Sequence, residues 1–164
     1  MIRLEARDDI HKTGRVARSF SLQDVSLVEL QARRLVPIME CSTSPVGVRV
    51  EDKATAELGE GGDTLGVTVL FTVGVGTVED DPATDVLRVS GTFELNYRRI
   101  LEGAEVTPED AGVFARINGF YNAWPYIREI VGSFFTRMGY PPLTLASLVI
   151  ATRPDEPSAE NKKR

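Results

Sequence analysis

The alternation of apolar and polar positions predicts strands in the middle of the chain. Apolar residues recur at nearly every second position across 46–58, 65–75 and 87–97, and polar, charged or glycine residues mostly lie between them. A fourth strand is predicted from about residue 15 to 32, where the apolar positions change parity beside Asp24, as they do at a β-bulge. Such alternation is typical of an antiparallel sheet with one face in a core and one in water.

The last third of the chain changes to helical spacing. Thr107 is followed by a proline and two acidic residues, which is the composition of a helix start. Asn122, with Pro125 after it, is a candidate start of a second helix, so one bent helix or two abutting helices are both possible. Gly139 and the prolines that follow predict the stop. The apolar stripe has steps of four and three: Val113, Ile117, Phe120, Trp124, Ile127, Val131, Phe134 and Met138.

These elements predict an α+β fold, in which one long, bent C-terminal helix packs on a four-stranded antiparallel sheet. Glu60-Gly61-Gly62-Asp63 predicts a hairpin turn. The folded domain is predicted at 14–150, after a flexible N-terminal segment at 1–13. Residues 151–164 are rich in proline and charge, so they are predicted to form a disordered tail.

The helix has more apolar surface than a single contact with the sheet requires. Ile130 and Phe135 lie off the main stripe, which makes the helix apolar on two sides. Because no second helical layer is predicted, another copy of the chain is the natural cover, and we expect a homo-oligomer. The candidate interface residues are Phe120, Trp124, Ile127, Ile130, Val131, Phe134 and Phe135.

Composition and charge narrow the class of protein. The 164 residues carry a formal net charge of −5, which argues against a nucleic-acid surface. The single cysteine, Cys41, excludes an intrachain disulfide and fits a reducing compartment. The charged N-terminus does not resemble a secretory signal, and no apolar run is long enough to span a bilayer. We therefore expect a cytoplasmic protein that binds neither nucleic acid nor membrane.

Candidate catalytic and metal-binding chemistry is sparse. His11 is the one histidine, and no second histidine or suitable cysteine can join it at a metal or a nucleophile. Glu79, Asp80, Asp81 and Asp85 do not have the spacing of a cation-binding loop, and a solvated hairpin loop is the favoured interpretation. We therefore expect no enzymatic activity, no catalytic residue, no cofactor and no metal.

The C-terminal helix and the loop after it resemble a known family, the SecB protein-export chaperones. The similar residues are Trp124-Pro125-Tyr126-Ile127-Arg128-Glu129, then Arg137, Gly139 and Tyr140, then Pro141-Pro142-Leu143-Thr144-Leu145-Ala146. Gln23-Asp24-Val25-Ser26-Leu27 also resembles the first strand of that family. The resemblance implies an ATP-independent holdase, assembled as a homotetramer (a dimer of dimers), that holds unfolded or nascent client proteins in apolar surface grooves.

By position, the resemblance places one wall of such a groove after the first strand and the other wall after the helix. The implied client-binding residues are Leu35, Val36, Ile38 and Met39 on the first wall, and Tyr140, Pro142, Leu143, Leu145 and Leu148 on the second. Non-directional apolar burial suits the binding of extended, unfolded chains. A loop that packs on the protein's own core is the alternative interpretation of the first wall.

Two departures from SecB count against its export partner, the ATPase SecA. The chain turns polar after Ile150, where SecB continues into a second helix that helps to dock SecA. Val28 stands where SecB has a carboxylate four residues after the strand aspartate. The helix and loop are more similar to the SecB-like chaperones of toxin–antitoxin–chaperone modules, whose client is an antitoxin. We favour that variant over a general export chaperone that delivers preproteins to SecA.

Two functions of other classes stay open. A hot-dog thioesterase also packs a long helix on an antiparallel sheet, and it would need a carboxylate such as Glu129 at the helix–sheet interface. An oligomeric adaptor would bind one folded partner and would fail to bind denatured proteins.

Overall fold

The computed structural model describes residues 2–6, 10–36, 47–76, 82, 85–101 and 105–152, with the backbone alone for 2–6, 10, 11 and 149–152. In chain order, the regular elements are β1 (Ile2–Ala6), α1 (Ile10–Ser19), β2 (Phe20–Arg34), β3 (Gly47–Leu58), β4 (Thr64–Gly76), β5 (Asp85–Arg99), α2 (Pro108–Phe114), a π-helical turn (Ala115–Gly119), α3 (Phe120–Arg137) and β6 (Leu148–Thr152).

The four long strands form an antiparallel sheet in the order β2-β5-β4-β3, which confirms the predicted sheet. Gly61 and Gly62 both have positive φ, at 76° and 74°, in the short turn between β3 and β4. Glycine is favoured there because the left-handed region strains other residues. The predicted hairpin turn is thus confirmed.

Two bulges shape β2 and keep its apolar side chains on one face. Gln23 is inserted between the pairs Leu22–Tyr97 and Asp24–Asn96, which confirms the bulge predicted beside Asp24. Val28 is inserted in the same way, and this second bulge was not predicted. Each inserted residue moves the side chains that follow it to the opposite face of the sheet, so two insertions return them to the original face. The residues of β2 that share the face of Tyr97 and Phe93 are Leu22, Val25, Leu27, Leu30 and Ala32.

The N-terminal region is more regular than the sequence indicated. Residues 15–19 belong to α1, so the prediction of a strand from about residue 15 is wrong. Val16 and Phe20 are both buried and lie four residues apart, a spacing that fits helix and strand alike. The segment at 1–13, predicted to be flexible, contains β1 and the start of α1, and β1 pairs in parallel with β6. Residues 151 and 152 end β6, and the rest of the predicted tail lies outside the described residues.

The C-terminal helix is one continuous run from α2 through the π-helical turn into α3, and its start at Thr107 is confirmed. The Thr107 hydroxyl accepts a hydrogen bond from the Asp110 amide, and the Asp110 carboxylate accepts one from the Thr107 amide, each at 3.1 Å. Asn122 does not cap a second helix, and that alternative is wrong. Its amide instead donates to the Tyr97 hydroxyl at 2.9 Å, while Pro125 lies inside α3 on an exposed side.

The core lies between the sheet and α3, which packs on β4 and β5, while α2 and the π-helical turn cover β3. Gly119 makes this approach possible, because a Cβ atom there would lie 2.7 Å from Val67 Cγ1. The predicted stripe faces the sheet through Phe120, Trp124, Ile127 and Val131. Among the described residues, no helix is long and apolar enough to cross a membrane.

Candidate functional site

The end of α3 fixes the start of the loop that follows it. Gly139 has a φ of 88°, as predicted for a left-handed helix cap. Its amide donates to the Thr136 carbonyl at 2.9 Å, and the Tyr140 amide donates to the Phe135 carbonyl at 3.2 Å. These two bonds define a Schellman motif, whose usual apolar contact is supplied by the stacked rings of Phe135 and Tyr140, with centroids 4.8 Å apart. The position of Tyr140 is therefore set by the helix end.

Tyr140 joins the two segments that were predicted to form the walls of a groove. Its hydroxyl donates to the Val36 carbonyl at 2.6 Å, just after β2, and lies 3.2 Å from the Val86 carbonyl in β5. The Leu35 amide donates to that same Val86 carbonyl at 2.9 Å. The segment after β2 and the loop after α3 therefore meet at Tyr140, through a hydrogen bond that no spacing in the sequence indicated.

Side chains of α3 hold the loop backbone against the helix. The Trp124 indole donates to the Ala146 carbonyl at 3.1 Å, and the Arg128 guanidinium donates to the Leu145 carbonyl at 2.9 Å. A Cβ atom on Gly132 would lie 3.1 Å from the Leu143 carbonyl, so the small residue allows the loop to approach. Trp124 and Arg128 are four residues apart and so share a helix face, a spacing that could have indicated this shared role.

The predicted client-binding residues divide by exposure. Leu35 and Pro142 are exposed, while Val36 and Leu143 are half-buried and pack against the core. Tyr140, Leu145 and Leu148 are buried, at 3%, 2% and 7% exposure, so their side chains are not accessible to a client. Ile38 and Met39 lie outside the described residues. We call the accessible part, Leu35, Val36, Pro142 and Leu143, the loop surface.

A groove of about 490 Å³ runs beside the loop surface, between α3 and the loop. It is lined by Pro125, Arg128, Glu129, Gly132, Ser133, Leu143, Thr144 and Leu145. Glu129 is exposed there and does not lie at the helix–sheet interface. Glu129 therefore does not supply the carboxylate that a hot-dog thioesterase needs at the helix–sheet interface.

The predicted interface residues are mostly part of this chain's own core. Phe120, Trp124, Ile127, Val131 and Phe135 are at most 3% exposed without any partner chain. Ile130 and Phe134 are half-buried and leave apolar surface on one flank of α3. The Tyr126 ring on the same flank lies 6.0 Å from the Phe93 ring, and Phe93 pairs with Leu27 of β2. The uncovered flank of α3 thus lies next to the inner face of β2.

Asp85 is not part of a solvated loop, and that interpretation is wrong for this residue. It is the first residue of β5 and is buried, and its carboxylate accepts hydrogen bonds from Arg49 at 2.9 Å and from Arg88 at 2.8 Å. Gly74 leaves room for this cluster, since a Cβ atom there would lie 2.8 Å from Asp85 and from Arg49. Burial alone would raise the pKa of Asp85, but the bonds from the two guanidinium groups lower it below its ordinary value.

The remaining acidic residues of that loop and Cys41 lie outside the described residues, and His11 is described by its backbone alone. Within the described ranges, no three His, Cys, Asp or Glu side chains lie close enough together to hold a metal ion.

The fold is similar to that of a solved SecB-like chaperone, Rv1957 of Mycobacterium tuberculosis, in a complex with a ChAD peptide from the HigA1 antitoxin Rv1956. The TM-score is 0.70 at 21% sequence identity, over 85% of this chain and 98% of that one. The fold implied by the sequence resemblance is thereby confirmed, and the chain has a SecB-like fold.

A more distant likeness, to a Streptococcus agalactiae protein of unknown function, has a TM-score of 0.46 at 11% identity, over 77% of this chain and 96% of that one. No protein-family model matches the chain, and no curated protein matches it in sequence.

Proposed function

We propose that this protein is an ATP-independent holdase chaperone that binds unfolded segments of client proteins, and that an antitoxin is its preferred client. The observation that carries the proposal is the meeting of two apolar segments at Tyr140, which forms the loop surface on a SecB-like fold. The complex of Rv1957 with an antitoxin peptide supports the choice of client. Neither SecA nor a cofactor is required.

The loop surface has the physical properties that a holdase needs. Leu35 is 44% exposed, and the other residues of the loop surface, Val36, Pro142 and Leu143, are also apolar. Burying the exposed part of these side chains against an apolar client segment is favourable at about 25 cal/mol per Å² of apolar surface, which provides the driving force for binding. Such burial does not depend on a particular client sequence. Ile38 and Met39 complete the proposed client contacts, while Tyr140, Leu145 and Leu148 position them.

Assembly into a homotetramer in the cytoplasm is the second part of the proposal. The inner face of β2 is incompletely covered, since Leu22 and Leu27 are 37% and 44% exposed. Tyr126, Ile130 and Phe134 continue this apolar surface on α3. A second copy of the chain would bury both, as the two-sided helix already indicated. The interface proposed earlier for all seven α3 residues is thus concentrated on Ile130 and Phe134.

The test combines a double substitution with a control of matched exposure. Leu35→Asp with Leu143→Asp places two charges on the loop surface, and Leu70→Asp places one on the outer face of the sheet, where Leu70 is also 44% exposed. We expect the double variant to suppress aggregation of an unfolded protein at least about tenfold less efficiently, because an apolar segment cannot be buried against a carboxylate. Leu70→Asp should retain the activity of the unchanged protein.

Two controls make the result interpretable. Leu145 is left unchanged because it is buried, and a charge there would unfold the protein. Both variants are first compared by circular dichroism and by mass in light scattering. The proposal fails if the folded double variant still suppresses aggregation, or if the unchanged protein binds only a folded partner, as an adaptor would. Tighter binding of an antitoxin encoded beside this protein than of a model unfolded protein would identify the preferred client.

A further inference from the structure

The N-terminal strand occupies a position next to the proposed client site. β6 begins at Leu148, directly after the loop that carries the loop surface. β1 pairs with β6 in parallel over its whole length, from Ile2 opposite Leu148 to Ala6 opposite Thr152. The backbone of β6 is therefore extended and already engaged in pairing with a strand from elsewhere in the chain.

This pairing is weakly supported. β1 and β6 form a two-stranded sheet that is separate from the four-stranded sheet, and each strand has five residues. Isolated two-stranded sheets are marginally stable in water, and parallel pairs are slightly less stable per residue than antiparallel ones. Within the described residues, the main backbone contacts of β1 are with β6. A competing strand therefore has little to displace.

The sequence of β1 also indicates which kind of strand could compete with it. Ile2-Arg3-Leu4-Glu5-Ala6 alternates apolar and charged residues. In strand addition, backbone hydrogen bonds provide affinity and alternate side chains provide specificity. An extended client segment with apolar residues at every second position offers the same backbone groups and the same alternation.

We propose that β6 is a strand-addition site, and that the N-terminal strand fills it until an extended client segment with alternating apolar residues takes its place. This inference rests on the proposed function, because it deepens the description of the same site. An occupant within the chain lowers the apparent affinity for a client by the fraction of time that the site is free. A site that is free about one tenth of the time would bind about tenfold more weakly.

The experiment uses the full chain, a variant in which residues 2–6 are replaced by Gly-Ser-Gly-Ser-Gly, and a second variant with Arg3→Pro and Leu4→Pro. Two adjacent prolines remove backbone donors on both sides of the strand, so the pairing is lost whichever residues donate. The probe is a fluorescent peptide of residues 1–9, with the same peptide carrying Arg3→Pro and Leu4→Pro as its control. Binding is measured by fluorescence anisotropy, and protection of the amides of 149–152 by hydrogen exchange.

We expect both variants to bind the peptide at least about tenfold more tightly than the full chain, and not to bind the proline peptide. Exchange of the β6 amides should accelerate in the variants and slow again when the peptide is added. Equal peptide binding by all three proteins, or none, would overturn the inference.

A parallel titration with an unfolded client separates this inference from the proposed function. We expect the variants to bind the client about tenfold more tightly than the full chain. If no protein binds a client but the peptide still prefers the variants, the proposed function is wrong and the strand-addition site stands. If clients bind all three proteins equally and the peptide shows no preference, the strand-addition site is wrong and the holdase stands.

Discussion

The inner face of the sheet is closed over β4 and β5 and open over β2. Val69 and Leu95 are fully buried in the closed half, whereas Leu27 in the open half is 44% exposed. The cause is geometric: a helix is about 10–12 Å across and strands lie about 4.8 Å apart, so one helix covers about two strands. α3 lies over β4 and β5, and α2 with the π-helical turn covers β3. Among the described elements, β2 alone has no helix along most of its inner face.

Similar apolar side chains therefore lie in two different environments in the same sheet. In the closed half, the apolar side chains are buried within the single chain and stabilise it. The open half leaves apolar side chains exposed in the single chain, and the proposed assembly would bury them. Substitutions in the two halves should therefore affect different measurements, stability in the first and assembly in the second.

The largest expected effect is loss of stability in the closed half. Ile127 is fully buried between α3 and the sheet. Ile127→Ala should lower the free energy of unfolding by about 2–5 kcal/mol, because it removes buried methylene groups and leaves a cavity. Urea denaturation monitored by circular dichroism measures the change, with Leu27→Ala as the comparison at low protein concentration. Similar losses from both substitutions in a monomer would remove the distinction between the two halves.

The second effect concerns assembly through the open half. Leu27→Asp should weaken self-association by at least about tenfold, because a carboxylate cannot be buried against an apolar partner surface. Mass measured by light scattering over a range of concentrations reports the change. Gln31→Asp is the matched control, since Gln31 is exposed on the opposite face of the same strand. A monomeric mass for the unchanged protein at micromolar concentration would contradict the proposed assembly.

The third effect lies on the outer side of the closed half. The side chain of Asp85 is 2% exposed and binds Arg49, so Asp85→Asn should cost about 2 kcal/mol at pH 7 by leaving the guanidinium groups without their carboxylate. Because its folded-state pKa is lowered, Asp85 contributes stability that is present above about pH 4 and is lost as pH falls through the folded-state pKa.

Urea denaturation between pH 7 and pH 2 checks this dependence. The difference between the unchanged protein and Asp85→Asn should be constant near neutrality and should shrink below about pH 4. Glu57→Gln, at an exposed position of β3, serves as the control substitution. A difference that does not change with pH would mean that the ion pairs contribute nothing.

The smallest expected effect on the free energy of unfolding concerns Gly139, at the C-terminal end of α3. Gly139→Ala should cost about 1 kcal/mol, because its φ of 88° is unfavourable for a residue with a Cβ atom. Gly14→Ala in α1 should instead stabilise by about 0.5–1 kcal/mol, since no atom lies within 4 Å of the added Cβ and alanine favours helix. Thermal unfolding distinguishes the two signs, and a stabilising Gly139→Ala would contradict the described cap.

The sequence predicted the parts of this molecule that depend on local patterns. Alternation located the four strands of the antiparallel sheet, apart from the start of β2, and Thr107 and Gly139 marked the ends of the long helix correctly. The prediction from Asn122 was wrong because the same asparagine side chain can either cap a helix or donate a hydrogen bond in the core. Only the tertiary structure decides between these two roles. The strand β1 was missed because its alternation covers only five residues and its partner β6 lies at the other end of the chain, so no neighbouring segment indicated the pairing.

The candidate site was only partly accessible to sequence reasoning. Family resemblance pointed to both walls, but it could not distinguish the buried Leu145 from the half-buried Leu143, which alternate along one loop. The hydrogen bond from Tyr140 to Val36 joins residues 104 positions apart, which no spacing rule predicts. The cluster of Asp85, Arg49 and Arg88 was missed because it depends on Arg49, which is 36 positions from Asp85 in sequence and lies on another strand.

Hydrogen exchange with and without an unfolded client locates the client site on this protein without any substitution. We expect the client to protect the amides of residues 35–36 and of the non-proline residues of 140–145, and to leave those of 68–72, near Leu70 on the outer face of the sheet, unchanged. Protection confined to residues 68–72, or no protection at either place while the client is bound, would contradict the assignment of the loop surface as the client site.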